Sequence, residues 1–225
     1  WYWLHAETCD WHNALMAKWQ KQHPDRFLWF ASIPMSSTVA TIRNTLQRAY
    51  DSGASGAGEL HFGVQQFDFV GENWQCLTEF CRTHKWPINL HVTDPHGKDH
   101  PGRVHTPLLS IREMLHKETD LTIILAHLAG GMAFDPSYKL PANCLMDTAA
   151  LPWLYPIAQL QQAIDNGYAD QICFGSDYPL RLYPRTSAHD SLKQFASAIR
   201  DQLSGNYAKA ITSENLLGIL PQAGC

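Results

Sequence analysis

The chain has 225 residues, of which 45% are hydrophobic and 17% charged, with a formal net charge of -4. That composition suffices for one well-buried core and reads as a single globular domain over 1–225. The positive charges are scattered, which leaves no basic footprint for nucleic acid, and no apolar run approaches the roughly 20 residues of a membrane span.

The opening segment reads as a connection and a helix, with Trp11, Leu15, Met16 and Trp19 at helical spacing. From about residue 27 onward, short apolar runs alternate with helix-period segments, the pattern of a parallel sheet with helical crossovers. Strands are expected at Phe27 to Ile33, Gly56 to His61, Ile88 to Val92, Leu121 to His127, Cys144 to Thr148 and Ile172 to Ser176. Helices are expected near 38–52, 71–85, 107–117, 157–167, 187–203 and 213–220, several opening on a Ser, Thr or Asp cap. Pro87, Pro107, Pro136, Pro152 and Pro179 stand near element ends, where a missing amide is tolerated. A closed barrel of alternating strands and helices has eight strands in about 250 residues, so one unit takes roughly 30. His91 and His127 are about one unit apart, and His127 to Asp177 leaves room for one further strand. The fold class is therefore α/β of the (β/α)8 TIM-barrel type, reading as its last six units with strands one and two absent.

Three polar residues close three of these runs: His91 in Leu90-His91-Val92, His127 in Leu125-Ala126-His127, and Asp177 in Gly175-Ser176-Asp177. Each alone is an ordinary strand end. Together, on separate parallel strands, they converge at the carboxyl rim where this architecture presents its chemistry. Two imidazoles and a carboxylate suit zinc or a related divalent ion, and His127 or Asp177 could equally serve as a proton carrier. Glu59 and His61 end the second run, two apart and on one face, as metal or substrate contacts or as partners that orient a ligand. The long polar loop after His91 carries His96, His100, Arg103 and His105, of which Arg103 is the candidate for an anionic substrate, with Arg181 and Arg185 in weaker support. Asp147 is a substrate contact or the cap of the turn that follows it. Trp153 and Tyr155 are wall or core aromatics.

Gly53 to Gly58 follows a helix and precedes a strand, the reverse of a phosphate-binding loop. Ser176 lacks the elbow of a serine hydrolase. The six cysteines include no Cys-x-x-Cys pair, so buried thiols are expected rather than disulfides or a zinc knuckle. The first residues do not show the charged, apolar and small-residue order of a signal peptide, and a cytoplasmic location is the expectation. A small-molecule substrate is expected, without nucleic-acid or membrane partners, and a homodimer is compatible with the sequence.

From about Asn13 onward the chain resembles the amidohydrolase-related (amidohydrolase 2) branch of the amidohydrolase superfamily. The resemblance rests on runs in a fixed order: His23-Pro-Asp-Arg-Phe27, Gly53 to Leu60, Leu90-His-Val-Thr-Asp-Pro95, Leu125-Ala-His-Leu-Ala-Gly-Gly131, Asp147-Thr-Ala-Ala150, Phe174-Gly-Ser-Asp-Tyr-Pro-Leu180 and Ile211-Thr-Ser-Glu-Asn-Leu-Leu217. It implies that His91 ligates a metal, that His127 ligates a metal or acts on water or substrate, and that Asp177 is a ligand or proton carrier. It also implies a His-x-His pair on strand one, which this sequence does not contain. The implied function is hydrolysis of a C–N or C–O bond in a small carboxylated or cyclic substrate by a water activated on a divalent metal, zinc being the expected ion. Nonoxidative decarboxylation is the alternative, and a non-catalytic degenerate barrel is the second.

Overall fold

All six expected strands form, each shorter than its apolar run. A computed structural model describes residues 2–95, 99, 103–135, 137–155, 158–178, 192–203 and 205–221. By contacts the chain divides into two units, Trp1–His91 with Thr106–Ile124 and Leu220–Cys225, and Val92–His105 with Leu125–Ile219.

The first unit contains helix α1 (Ala6–Gln22), strand β1 (Phe30–Ala31), α2 (Val39–Asp51), β2 (Gly56–Leu60), the single turn α3 (Phe62–Gln65), α4 (Glu72–His84), β3 (Ile88–Leu90), α5 (Leu108–Lys117) and the first two residues of β4 (Ile123–Leu125). The sheet order follows the chain, β1-β2-β3-β4. β1 and β2 are parallel with Phe30 opposite Gly56, and β2 and β3 are parallel with Ala57 opposite Ile88. Thr38 starts α2 by accepting the Thr41 N–H on its side chain at 3.3 Å. Ile42, Leu46 and Ala49 then recur at helical spacing and are buried. On α4 the buried Trp74 donates its indole N–H to Glu118 at 3.1 Å, while Arg82 bonds both Glu118 and Asp120, tying this helix to the end of α5.

Helix α1 forms where expected but buries a different face. Trp11 and Trp19 are 64% and 44% exposed, whereas Cys9, His12, Asn13 and Ala17 are buried. The reason is a backbone demand. Asn13 receives the Ser32 N–H at 2.8 Å and donates to the Ser32 carbonyl at 3.0 Å, filling both polar groups of the residue after β1 as a neighbouring strand would. Beside it, the His12 ring bonds the Ser32 hydroxyl at 2.8 Å.

The second unit holds Leu125 of β4, β5 (Cys144–Asp147), α6 (Ala158–Ala163), β6 (Ile172–Cys173) and α7 (Leu192–Gln202). Its strand order is β4-β5-β6, with Met146 opposite Ile172 and Asp147 opposite Cys173 in parallel register. Beyond the strand ends, the Thr148 hydroxyl bonds the carbonyl and the N–H of Gly175, each at 3.0 Å, and so carries the β5–β6 pairing into the loops. Asn215 anchors the base of β6 by donating to the carbonyls of Ala169 and Ile172.

Cys9, Cys76, Cys81, Cys144 and Cys173 are free and buried, in line with the thiol reading, while Cys225 lies outside the described residues. Burial pushes the Cys9 thiol up to about 12. No helix among the described residues is long and apolar enough to cross a membrane.

Burial also lowers the His12 pKa to about 4 from its ordinary 6.5. The folded state therefore rejects a proton that the unfolded chain accepts, and this contribution to stability is full above about 6.5 and declines as pH falls toward 4. Each unit of separation is worth about 1.4 kcal/mol. Thermal melting at pH 7 and pH 5 checks this: the wild type loses stability at the lower pH, and His12→Gln shows a smaller loss.

Candidate functional site

In the first unit the geometry around His91 begins with a glycine. Between Ala57 and Leu60 the register of β2 against β3 slips by one residue, an extra residue bulged on β2. Gly58 sits in this bulge at a φ of +134°, and a Cβ there would lie 2.5 Å from the Asn89 carbonyl oxygen, so only glycine fits. The bulge re-aims Glu59, whose Oε1 lies 2.8 Å from His91 Nδ1. The His91 backbone is itself pinned by a 2.8 Å bond from its N–H to the Leu60 carbonyl. A carboxylate on Nδ1 holds the proton there, and the neutral ring then carries its lone pair on Nε2.

His61 stacks on His91 with centroids 4.4 Å apart and rings 14° from parallel, and Tyr2 meets both rings edge-on. His61 also begins α3, its Nδ1 accepting the Val64 N–H while Gln65 accepts the His61 N–H. Glu59 and His61 thus both turn to His91, the first through its charge and the second through its ring.

In the second unit His127 lies in a left-handed turn. His127, Leu128 and Ala129 have φ of 60°, 51° and 57°. Three consecutive non-glycine residues in this region cost about 1–3 kcal/mol each and persist only where their surroundings over-determine them. The His127 N–H donates to Asp147 Oδ1 at 2.9 Å, and the ring Nδ1 lies 3.0 Å from the Ala149 carbonyl. A carbonyl can only accept, so Nδ1 carries the proton and Nε2 the lone pair, as in His91.

Asp177 follows β6, half-buried and also left-handed at a φ of 55°. Asp147 is buried, and its Oδ1 takes the Ala149 N–H as well as that of His127, the capping role that its position allowed. Arg103 is engaged by Asp99 at 2.6 Å and by the Asp94 carbonyl, which closes the loop on itself. Tyr155 packs edge-on against Phe134, and burial, then the nearby Asp94, pushes its hydroxyl well above the ordinary range. His96, His100, Arg181, Arg185 and the Trp153 side chain lie outside the described residues.

Sequence reasoning did not assign the Gly58 bulge or the Ala149 carbonyl. A glycine inside a strand run signals the first. Nothing in residue type signals the second, because it is a backbone atom.

The donor chemistry of His91 fits a divalent cation, since the Glu59 carboxylate engages its Nδ1 and leaves Nε2 as the nitrogen able to ligate. Parallel strands in chain order, alternating with helices, define an α/β protein of the (β/α)8 type. The family model for amidohydrolases matches residues 2–215, and the chain belongs to that family. No curated protein matches the chain by sequence. Among solved structures, 2,6-dihydroxybenzoate decarboxylase from Rhizobium is similar at 19% identity and a TM-score of 0.70, over 95% of this chain and 77% of that one. A dihydroxybenzoic acid decarboxylase from Polaromonas sp. JS666, with bound manganese and the inhibitor 2-nitroresorcinol, is similar at 18% identity and a TM-score of 0.68, over 95% and 75%. A probable 2-pyrone-4,6-dicarboxylic acid hydrolase from Acinetobacter baumannii, with citric acid bound, is similar at 17% identity and a TM-score of 0.67, over 92% and 78%.

Gly58→Ala should destabilise the first unit by about 1–3 kcal/mol, the cost of one strained backbone position, read as a lower urea midpoint.

Proposed function

We propose that the protein is a metal-dependent nonoxidative decarboxylase of small aromatic carboxylates, with His127 as its acid–base group. The observation that carries this reading is the anchoring of His127, whose Nδ1 is held by the Ala149 carbonyl and whose Nε2 is thereby the nitrogen able to gain and give a proton. The choice of decarboxylation draws support from the Rhizobium and Polaromonas neighbours, both described as decarboxylases of dihydroxylated benzoic acids.

One Nε2 lone pair cannot bind a cation and carry a proton at the same time. We therefore assign His91 and Asp177 to the metal and His127 to proton transfer, although the family resemblance allows His127 either role. Zinc suits the imidazole and carboxylate donors, and manganese is the ion bound in the Polaromonas neighbour. When bound, a divalent cation at these ligands would polarise substrate oxygens and stabilise the negative charge left on the ring as carbon dioxide departs.

Glu59 keeps His91 from rotating and its Nδ1 proton in place. His127 delivers a proton from Nε2 to the ring carbon as the carbon–carboxylate bond breaks; the bonding pair stays on that carbon and carbon dioxide leaves. Throughout, the Ala149 carbonyl remains bonded to Nδ1–H and keeps the ring oriented. Hydrolysis is the second reading, favoured by the likeness to the 2-pyrone-4,6-dicarboxylic acid hydrolase. There, the same Nε2 takes a proton from water and returns it to the leaving oxygen or nitrogen.

Carbon dioxide release separates the two. With zinc or manganese supplied, the protein should release carbon dioxide from a 2,6-dihydroxybenzoate-type substrate, lose this activity with a chelator, and lose about 100-fold or more of kcat in His127→Gln. Ring opening of a pyrone dicarboxylate without carbon dioxide would assign it to hydrolysis.

A further inference from the structure

We propose that Asp147 is the positioning residue for His127: its carboxylate sets the turn that presents the imidazole and so fixes which ring nitrogen does the chemistry. The inference rests on the acid–base role given to His127 above. Asp147 closes β5 and is 8% exposed. A single oxygen, Oδ1, accepts the His127 N–H at 2.9 Å and the Ala149 N–H at 3.0 Å. Ala149 in turn offers its carbonyl to His127 Nδ1 at 3.0 Å. The bonds form a closed circuit, from the carboxylate to the backbone of residue 149, from there to the ring, and through the backbone of residue 127 back to the same oxygen.

That circuit explains two features together. The left-handed run His127, Leu128 and Ala129 needs an outside acceptor to hold it, and an ionised oxygen is roughly twice as strong an acceptor as a neutral one. The ring tautomer needs the Ala149 carbonyl in place, and Asp147 fixes that carbonyl by holding the N–H of the same residue. Gly175 makes room for this side chain, since a Cβ there would come within 3.2 Å of the Asp147 Cβ and 3.3 Å of its Cγ. Removing it releases both amides, lets the residue 149 carbonyl turn away, and allows the imidazole to take its other tautomer.

The test is long-range proton–nitrogen NMR on the 15N-labelled chain, with amide exchange and kinetics, for the wild type, Asp147→Asn and Asp147→Ala. In the wild type His127 should show one tautomer, protonated at Nδ1, and the amides of His127 and Ala149 should exchange slowly. Asp147→Asn keeps an acceptor oxygen of the same shape and should retain that tautomer and most of kcat. Asp147→Ala should show both tautomers and lose about 10–100-fold in kcat with KM little changed. A single Nδ1–H tautomer in Asp147→Ala would overturn the proposal, as would fast exchange of the His127 amide in the wild type. The wild-type exchange measurement decides the matter even where Asp147→Ala does not fold. Because tautomer and exchange are read without turnover, a protein inactive on every carboxylate tried would refute the proposed function and leave this test intact.

Discussion

An imidazole offers two nitrogens, and a protein that needs one of them for chemistry has to occupy the other. This constraint organises the surroundings of His91 and of His127. At His91 the occupant of Nδ1 is the Glu59 carboxylate at 2.8 Å, and at His127 it is the Ala149 carbonyl at 3.0 Å. Each arrangement leaves the lone pair on Nε2, the outer nitrogen of the ring. The two acceptors differ in kind, and the difference matches the roles proposed. A carboxylate strengthens a ligand by making its ring more basic, whereas a neutral carbonyl orients a ring that has to give its proton away.

Both anchors depend on departures from regular backbone. Glu59 reaches His91 because β2 carries an extra residue at Gly58, where a side chain would collide with the Asn89 carbonyl. His127 reaches Ala149 because residues 127 to 129 leave β4 in left-handed conformations held by Asp147. Regular strands would have sent these side chains elsewhere. Buried residues such as Leu46, Leu60, Leu77, Ile88 and Ile111 keep the surrounding elements fixed.

The alternation of strands and helices was legible in the sequence because short β-branched and leucine runs such as Ile123 to Leu125 recur between helix-period segments. His91, His127 and Asp177 were legible as strand-end polar residues, and their order matched the amidohydrolase family to which the chain belongs. The buried face of α1 was not. Trp11 and Trp19 form the more apolar stripe, yet hydrogen bonds to Ser32 turn Asn13 and His12 inward. The jobs of Glu59, Asp147 and Arg103 were open for a related reason: whether a charged residue meets a substrate or a neighbouring backbone group depends on turns that residue types do not specify. Asp147 meets two amides, and Arg103 meets Asp99 and a carbonyl.

The most direct test of the account follows the ring nitrogens of His91 while zinc is added to the 15N-labelled protein. The account predicts that His91 begins with its proton on Nδ1 and that the Nε2 resonance moves on metal addition, with Nδ1 still protonated against Glu59. A response at Nδ1, or no response of the His91 ring at saturating zinc, would contradict it.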